Sequence, residues 1–255
     1  MNSAYIPNTS LAARVKRRLT PYQAKQTLRV KTDQPIVSFT FDDCPKSVMQ
    51  NALKPLEAEG WLSTVYMSMG RCGKTNHLGL HMSEADVKAA YESGHEIGDH
   101  TLSHLDGADV PIEVFEADID NNQNVLAGLG LPPSRTFAYP FGEATPKLKK
   151  MMKRRFKGAR GITSRIHKNN VDLNQIGSNR LYAGRDVKVL LDTIKELKTT
   201  SGWLTIFTHD VRENPSRFGC TPEDMRTVIE AVKDVGASVM TMAEAINHLE
   251  AAHDA

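Results

Sequence analysis

A chain of 255 residues, 40% apolar and 24% charged with 17 Gly and 12 Pro, has the composition of a globular protein with one or two buried cores, which excludes disordered, collagen-like and disulfide-scaffold classes. Its 32 basic residues face 30 acidic ones, and a formal charge of +2 is too balanced for a protein that neutralises nucleic-acid phosphates over its whole surface. Cys44, Cys72 and Cys220 are widely spaced and form no CxxC pair, so neither a disulfide framework nor a cysteine-ligated structural zinc is supported.

The chain opens with a polar, basic arm over residues 1–34 carrying Arg14, Lys16, Arg17, Arg18, Lys25, Arg29 and Lys31. Its MNSAYIPNTSLAARVKRR stretch lacks the roughly 7–15 apolar residues of a secretory signal, and no later segment reaches the roughly 18 of a membrane span, so the expectation is an unprocessed cytoplasmic protein. The first strand signal is Ile36–Phe41. A helix follows over 47–59, a strand over 63–68, a helix over 83–92 and a short strand over 95–98. The pattern continues with a helix at 112–127, a strand at 136–139, a helix at 146–155 and a strand near 158–162. A helix at 187–198, a strand at 203–208, a helix at 222–235, a strand at 237–240 and a closing helix at 242–251 complete it. Strands alternating with helices predict parallel βαβ units, and the absence of a Gly-rich phosphate loop after the first strand favours a closed or nearly closed β/α barrel over 35–255.

In such a barrel the chemistry collects where strands end, and polar residues cluster there. Asp42 and Asp43 follow the first strand; an adjacent carboxylate pair can divide metal ligation from base work, although a turn or helix cap would also use it. Three of the nine histidines fall within Gly94–His104, and the spacing of His100 and His104 can put two imidazoles on one face of a helical turn, as a divalent ion requires. His95-Glu96 does not begin a zincin motif, because position 99 is Asp. His95 starts its strand, at the end away from the site. His209-Asp210 closes the apolar strand 203–208 on the same rim. A metal with an open face, a carboxylate base and an imidazole acid are the parts needed to hydrolyse an amide or ester with an activated water.

These residues resemble the polysaccharide deacetylases with the NodB homology domain, carbohydrate esterase family 4. Thr40-Phe41-Asp42-Asp43 is similar to that family's first motif, His100-Thr-Leu-Ser-His104 to its second, Phe137-Ala-Tyr-Pro-Phe-Gly142 to its third and Ile206-Phe-Thr-His209-Asp210 to its last, in the family's order over residues 35–245. The resemblance implies an α/β fold, a single distorted (β/α)7 barrel, and one divalent ion, Zn2+ ahead of Co2+, Ni2+ or Mn2+, held by Asp43, His100 and His104. It implies Asp42 as base, His209 as acid, the backbone N–H of Phe141 as oxyanion donor with Tyr139 beside it, and Trp203 and Ile206 around the acyl methyl. Its substrate would be a carbohydrate carrying N-acetylglucosamine-type units.

The sequence departs from the family in three places. Cys44 replaces the common Gly, Ala138 stands where an Arg normally pairs with the base, and no fourth motif is recognisable between Arg165 and Leu191. Arg160, on the strand near 158–162, is the substitute we expect to reach Asp42, whereas Arg135 precedes its strand on the far side of the barrel. One further feature is the Lys147–Arg155 helix, where Leu148, Met151, Met152 and Phe156 form an apolar stripe among cations; it reads either as an outer barrel helix or, together with the basic N-terminal arm, as a contact for an anionic membrane or lipid-linked sugar phosphate. Three functions follow in order: removal of an N-acetyl group, hydrolysis of another acyl amide such as a lipid-linked formyl-amino sugar or a cyclic ureide, and glycan binding without catalysis.

Overall fold

The structure, a computed structural model, describes residues 10–254. Eight parallel strands, β1 (Ile36–Asp42), β2 (Thr64–Met67), β3 (Glu96–Asp99), β4 (Thr136–Ala138), β5 (Gly158–Arg160), β6 (Asn179–Arg180), β7 (Trp203–Thr208) and β8 (Ser238–Val239), form one curled sheet, to which Ile166–His167 adds a ninth strand antiparallel to β7. Seven of them run in the order β6-β7-β1-β2-β3-β4-β5, the strands of a distorted (β/α)7 barrel, and β8 pairs the opening residues of β1 through Ser238↔Ile36 and Val239↔Val37. The two ends of that path approach each other: Gly161 N–H donates to Ile176 O at 2.7 Å, and the chain enters β6 three residues later.

β1 is buried at every position, as a parallel strand covered on both faces must be. Its register with β7 places Val37, Phe39 and Phe41 opposite Leu204, Ile206 and Thr208, and Ser38 and Thr40 opposite Thr205 and Phe207. Directly opposed residues share a face, so the pleat divides the two strands cleanly. Val37, Phe39, Phe41, Leu204 and Ile206 belong to the layer packed by the helices, with Leu190, Ile194, Val228 and Val232. Ser38, Thr40, Asp42, Thr205 and Phe207 therefore face the barrel interior.

The helices are α1 (Leu11–Leu19), α2 (Lys54–Ala58), α3 (Glu84–Glu92), α4 (Ile112–Gly128), α5 (Pro146–Arg155), α6 (Arg185–Glu196), α7 (Pro222–Asp234) and α8 (Met242–Asp254). Capping boxes at Ser83/Asp86 and Thr221/Asp224 fix the starts of α3 and α7. The helix expected over 47–59 is split, a π-helical turn at Met49–Leu53 leading into α2. Pro55 has no N–H for the i→i−4 ladder and its ring crowds the carbonyl four residues back, which the wider turn relieves.

Residues of the basic arm are laid against the barrel. Strand Thr27–Arg29 pairs antiparallel with Asn170–Asp172, and Leu28 and Val30 join Ile36, Trp203, Met242 and Ile246 in a buried cluster. The α5 stripe is likewise inside: Leu148, Met151, Met152 and Phe156 pack on Phe115, Ile119 and Phe137, so its apolar face is not offered to a membrane. The Phe137 face of β4 and the α4 residues Phe115 and Ile119 give that stripe a protein partner. Among the described residues no helix is long and apolar enough to cross a membrane.

Candidate active site

β1 ends at Asp42, and the chain leaves it through two left-handed residues, Asp43 (φ 57°) and Cys44 (φ 52°). Thr101 (φ 59°), His104 (φ 56°) and Phe141 (φ 58°) adopt the same region, so five of the six non-glycine residues with positive φ in the described chain surround one point. L-residues pay a steric penalty there, and such strain concentrates at functional sites. The turn keeps Asp42 and Asp43 on one rim while pointing them apart.

His100 follows β3 directly, and His104 reaches it through a loop rather than the expected helical turn. Polar side chains hold that loop. Asp99 Oδ1 accepts the Thr101 N–H at 2.8 Å, Thr101 Oγ1 accepts the Leu105 N–H at 3.1 Å, and Asp118 on α4 accepts both the Ser103 N–H (2.8 Å) and its hydroxyl (2.9 Å). The His100 and His104 ring centroids end 4.8 Å apart.

Ligand atoms of Asp43, His100 and His104 all lie within 4.8 Å of one another, and the three side chains are buried. His100 Nδ1 is 2.7 Å from Ala138 O, so it must carry the proton and leave the Nε2 lone pair bare. Asp43 Oδ2 accepts from Arg71 Nη1 at 2.8 Å, and Oδ1 is 3.5 Å from His104 Nε2. Burial would raise the Asp43 carboxyl, but His104, Arg71, His100 and His209 together hold it below the usual carboxylate range. Burial pushes both His100 and His104 down, against the pull of Asp42 and Asp43 on His100 and of Asp43 on His104, toward the neutral form that offers a lone pair. Asp43 Oδ1 and His104 Nδ1 are buried without a hydrogen-bond partner, a costly state for a dry polar atom. An ionised carboxylate, two neutral imidazoles and these orphaned atoms fit a divalent cation with three protein ligands and open positions for water or substrate.

Beside this cluster, Arg160 at the end of β5 places Nη2 2.5 Å from Asp42 Oδ2. Its guanidinium lies 4.8 Å from the Phe207 ring and 5.4 Å from the Tyr66 ring, and Nη1 donates to Gly161 O at 3.2 Å. Arg135 instead donates to Asn247 Oδ1 at an exposed position. Asp42 Oδ1 is buried and has no hydrogen-bond partner. His209, just past β7, directs Nδ1–H to Phe218 O at 3.2 Å and stands within 6.0 Å of the Tyr182 ring, leaving Nε2 as its reactive nitrogen. Asp210 does not touch His209; it organises the following loop through Arg212 Nε (2.8 Å) and the Ser216 N–H (2.8 Å). The Phe141 ring packs edge-on to His104 at 4.3 Å.

Three residues expected at the substrate are elsewhere. Ile206 faces the helix layer, and its neighbour Phe207 takes the interior position beneath Arg160, because the pleat alternates sides. Trp203 is interior but at the opposite end of β7, paired with Ile36 and donating to Ser38 Oγ at 2.9 Å. Tyr139 is buried against Phe137, with its hydroxyl given to Asn174 O at 2.8 Å. Cys44 is a buried thiol whose Sγ lies 3.3 Å from Tyr66 O and 3.5 Å from Phe41 O, and it is not part of the group in which the ligand atoms of Asp43, His100 and His104 converge. Sequence reasoning missed Arg71, which lies in a short 3-10 turn (Met69–Arg71) with no periodic signal, and the Phe218 carbonyl.

The Polysaccharide deacetylase family model matches residues 29–155. No curated protein sequence matches the chain. Among solved structures, the Bc1960 peptidoglycan N-acetylglucosamine deacetylase in complex with 4-naphthalen-1-yl-N-oxidanyl-benzamide is similar over 89% of this chain and 94% of its own, at 20% identity and a TM-score of 0.59. A family 4 acetyl xylan esterase from Clostridium thermocellum in complex with a cobalt ion matches over 83% and 90%, at 20% identity and 0.58. A mutant of BA3943, a family 4 pseudoenzyme with restored enzymatic activity, matches over 86% and 70%, at 17% identity and 0.61. At these identities the likeness establishes the shared fold.

Proposed function

Since the chain belongs to the polysaccharide deacetylase family, we propose that it is a metal-dependent hydrolase that removes the N-acetyl group from an amino sugar of N-acetylglucosamine type within an oligo- or polysaccharide. The observation that carries this reading is the meeting, on one barrel rim, of the Asp43/His100/His104 cluster with the Asp42–Arg160 pair. A divalent ion held by Asp43, His100 and His104 would polarise the acyl carbonyl and lower the pKa of an attacking water.

The chain's own residues supply the rest. Asp42 is the base: Arg160 fixes Oδ2, and the unpartnered Oδ1 takes the proton from water as its oxygen bonds to the acyl carbon. The Phe141 N–H donates to the oxyanion of the tetrahedral intermediate. His209, its Nδ1–H fixed by Phe218 O, delivers a proton from Nε2 to the departing nitrogen, the C–N bond breaks and acetate is left. Phe207 and the Arg160 guanidinium form the floor beneath Asp42.

Release of acetate or formate from a panel of acylated amino sugars, with and without chelator, tests the reading. Chelator-sensitive acetate release supports it. Formate release moves the activity to another acyl amide, and binding of the sugars without release of either acid makes the chain a glycan-binding pseudoenzyme.

A further inference from the structure

The outward face of α1 carries an apolar stripe that no other element among the described residues covers. Leu11, Val15 and Leu19 recur every four residues and Tyr22 follows in the next turn, with exposures of 79%, 48%, 50% and 75%. At about 100° per residue Leu11, Val15 and Leu19 share an arc of about 80°, and Tyr22 ends the 3-10 turn Thr20–Tyr22 that follows α1. The opposite side of the helix is the moored one: Arg17 Nε pairs with Glu143 Oε1 at 2.6 Å, and buried Thr20 gives its carbonyl to Lys149 Nζ at 3.2 Å. Leu11 and Val15 therefore face away from the barrel, and Leu19 borders the groove between α1 and the barrel.

Its edges are cationic on both sides. Arg14 and Arg18 flank one edge and Lys16 the other, and Lys25 lies 5.3 Å over the Tyr22 ring. Lys147 of α5 lines the groove beside Lys16 and Leu19, with Asp109, Glu113 and the paired Glu143 on the groove's far wall. No acidic residue precedes Asp33 in the chain. Two edges of cations around an outward apolar strip decide what can cover it. A second copy of this chain would bring the same cations to an isologous contact, and an uncharged partner would leave them without counter-charge. An anionic lipid surface takes the stripe into the acyl boundary and the flanking cations at the headgroups.

We propose that α1 is a peripheral anchor to anionic membrane surfaces. The anchor adjoins the site, since Glu143, which moors Arg17, is two residues beyond Phe141, whose ring contacts His104. It does not depend on the deacetylase reading, and its test involves no catalysis. In co-sedimentation with phosphatidylcholine vesicles, with and without phosphatidylglycerol, the full chain should pellet with the anionic vesicles only, and binding should fall steeply with added salt. The double variant Val15→Asp/Leu19→Asp should lose at least about tenfold in partitioning, and Arg14→Gln/Arg18→Gln roughly tenfold. Because these side chains are exposed, both variants should keep the parent's melting temperature, which separates lost binding from lost folding. Absence of wild-type binding, equal binding to neutral vesicles, or unchanged binding by the Val15→Asp/Leu19→Asp variant would overturn the proposal. So would a wild-type dimer that the same variant converts to monomer, because the stripe would then belong to a second copy.

Discussion

Arg160 and Asp42 meet across the barrel rim at 2.5 Å, from strands that the sheet path separates by β2, β3 and β4, and both are buried. Ala138, where the family has its usual Arg, offers His100 a carbonyl and no cation. Arg160→Met should lower kcat/KM by at least about tenfold, and removing one partner of a buried pair should cost about 3–5 kcal/mol of stability. Arg160→Lys, keeping the charge without the planar fork, should recover more stability than activity. Arg135→Met, at an exposed position, should change stability by less than about 0.5 kcal/mol and leave kcat/KM unchanged. Steady-state kinetics beside thermal melts of the three variants check this ranking.

The ligand and base assignments separate by metal analysis. His104→Ala should lose the ion, because two remaining ligands do not make a site. Asp42→Asn should retain it while losing about 10²–10⁴-fold in activity. A stoichiometric ion persisting in His104→Ala, or a loss below about tenfold in Asp42→Asn, would contradict the respective role.

Asp118 acts on the histidines from α4, because it holds Ser103 in the middle of their loop through two hydrogen bonds. Asp118→Ala removes the acceptor of the exposed Ser103, whose N–H and hydroxyl can turn to water, at about 0.5–1.5 kcal/mol, and metal affinity should fall about 10–100-fold. Asp118→Asn, which can still accept from the backbone N–H, should restore part of both. Calorimetric metal titration reads the affinity directly.

Low pH should destabilise the fold through His167, which lies away from the site. Burial lowers its pKa from the ordinary 6.5 to about 4, with Nε2–H donated to Gly177 O at 3.1 Å. Between those values the unfolded chain holds a proton that the folded chain does not. The contribution is complete above pH 6.5, lost as pH falls to about 4, and worth at most about 3 kcal/mol. His167→Gln should flatten the fall in melting temperature over that window.

The alternation of strands and helices was legible because each buried strand is a short apolar run bounded by caps and turns, as at Ser83 and Thr221. What escaped was set by contacts remote in sequence. Residues 161–184 show no period because they pair in two- and three-residue strands, Ile166–His167, Asn170–Asp172 and β6, with distant partners. The aspartates and histidines announced themselves by position after strands, but the face of Ile206 depends on its register with Phe39, which no local pattern records. Arg71 acquires a role only where its turn meets Asp43.

The most direct test is acetate release by the metal-loaded full chain from N-acetylglucosamine oligomers, measured with and without chelator. Acetate should be produced, chelator should abolish its production, and added divalent metal should restore it. Absence of acetate from metal-loaded protein across the panel, or release that chelator leaves unchanged, would contradict the proposed metal-dependent deacetylation.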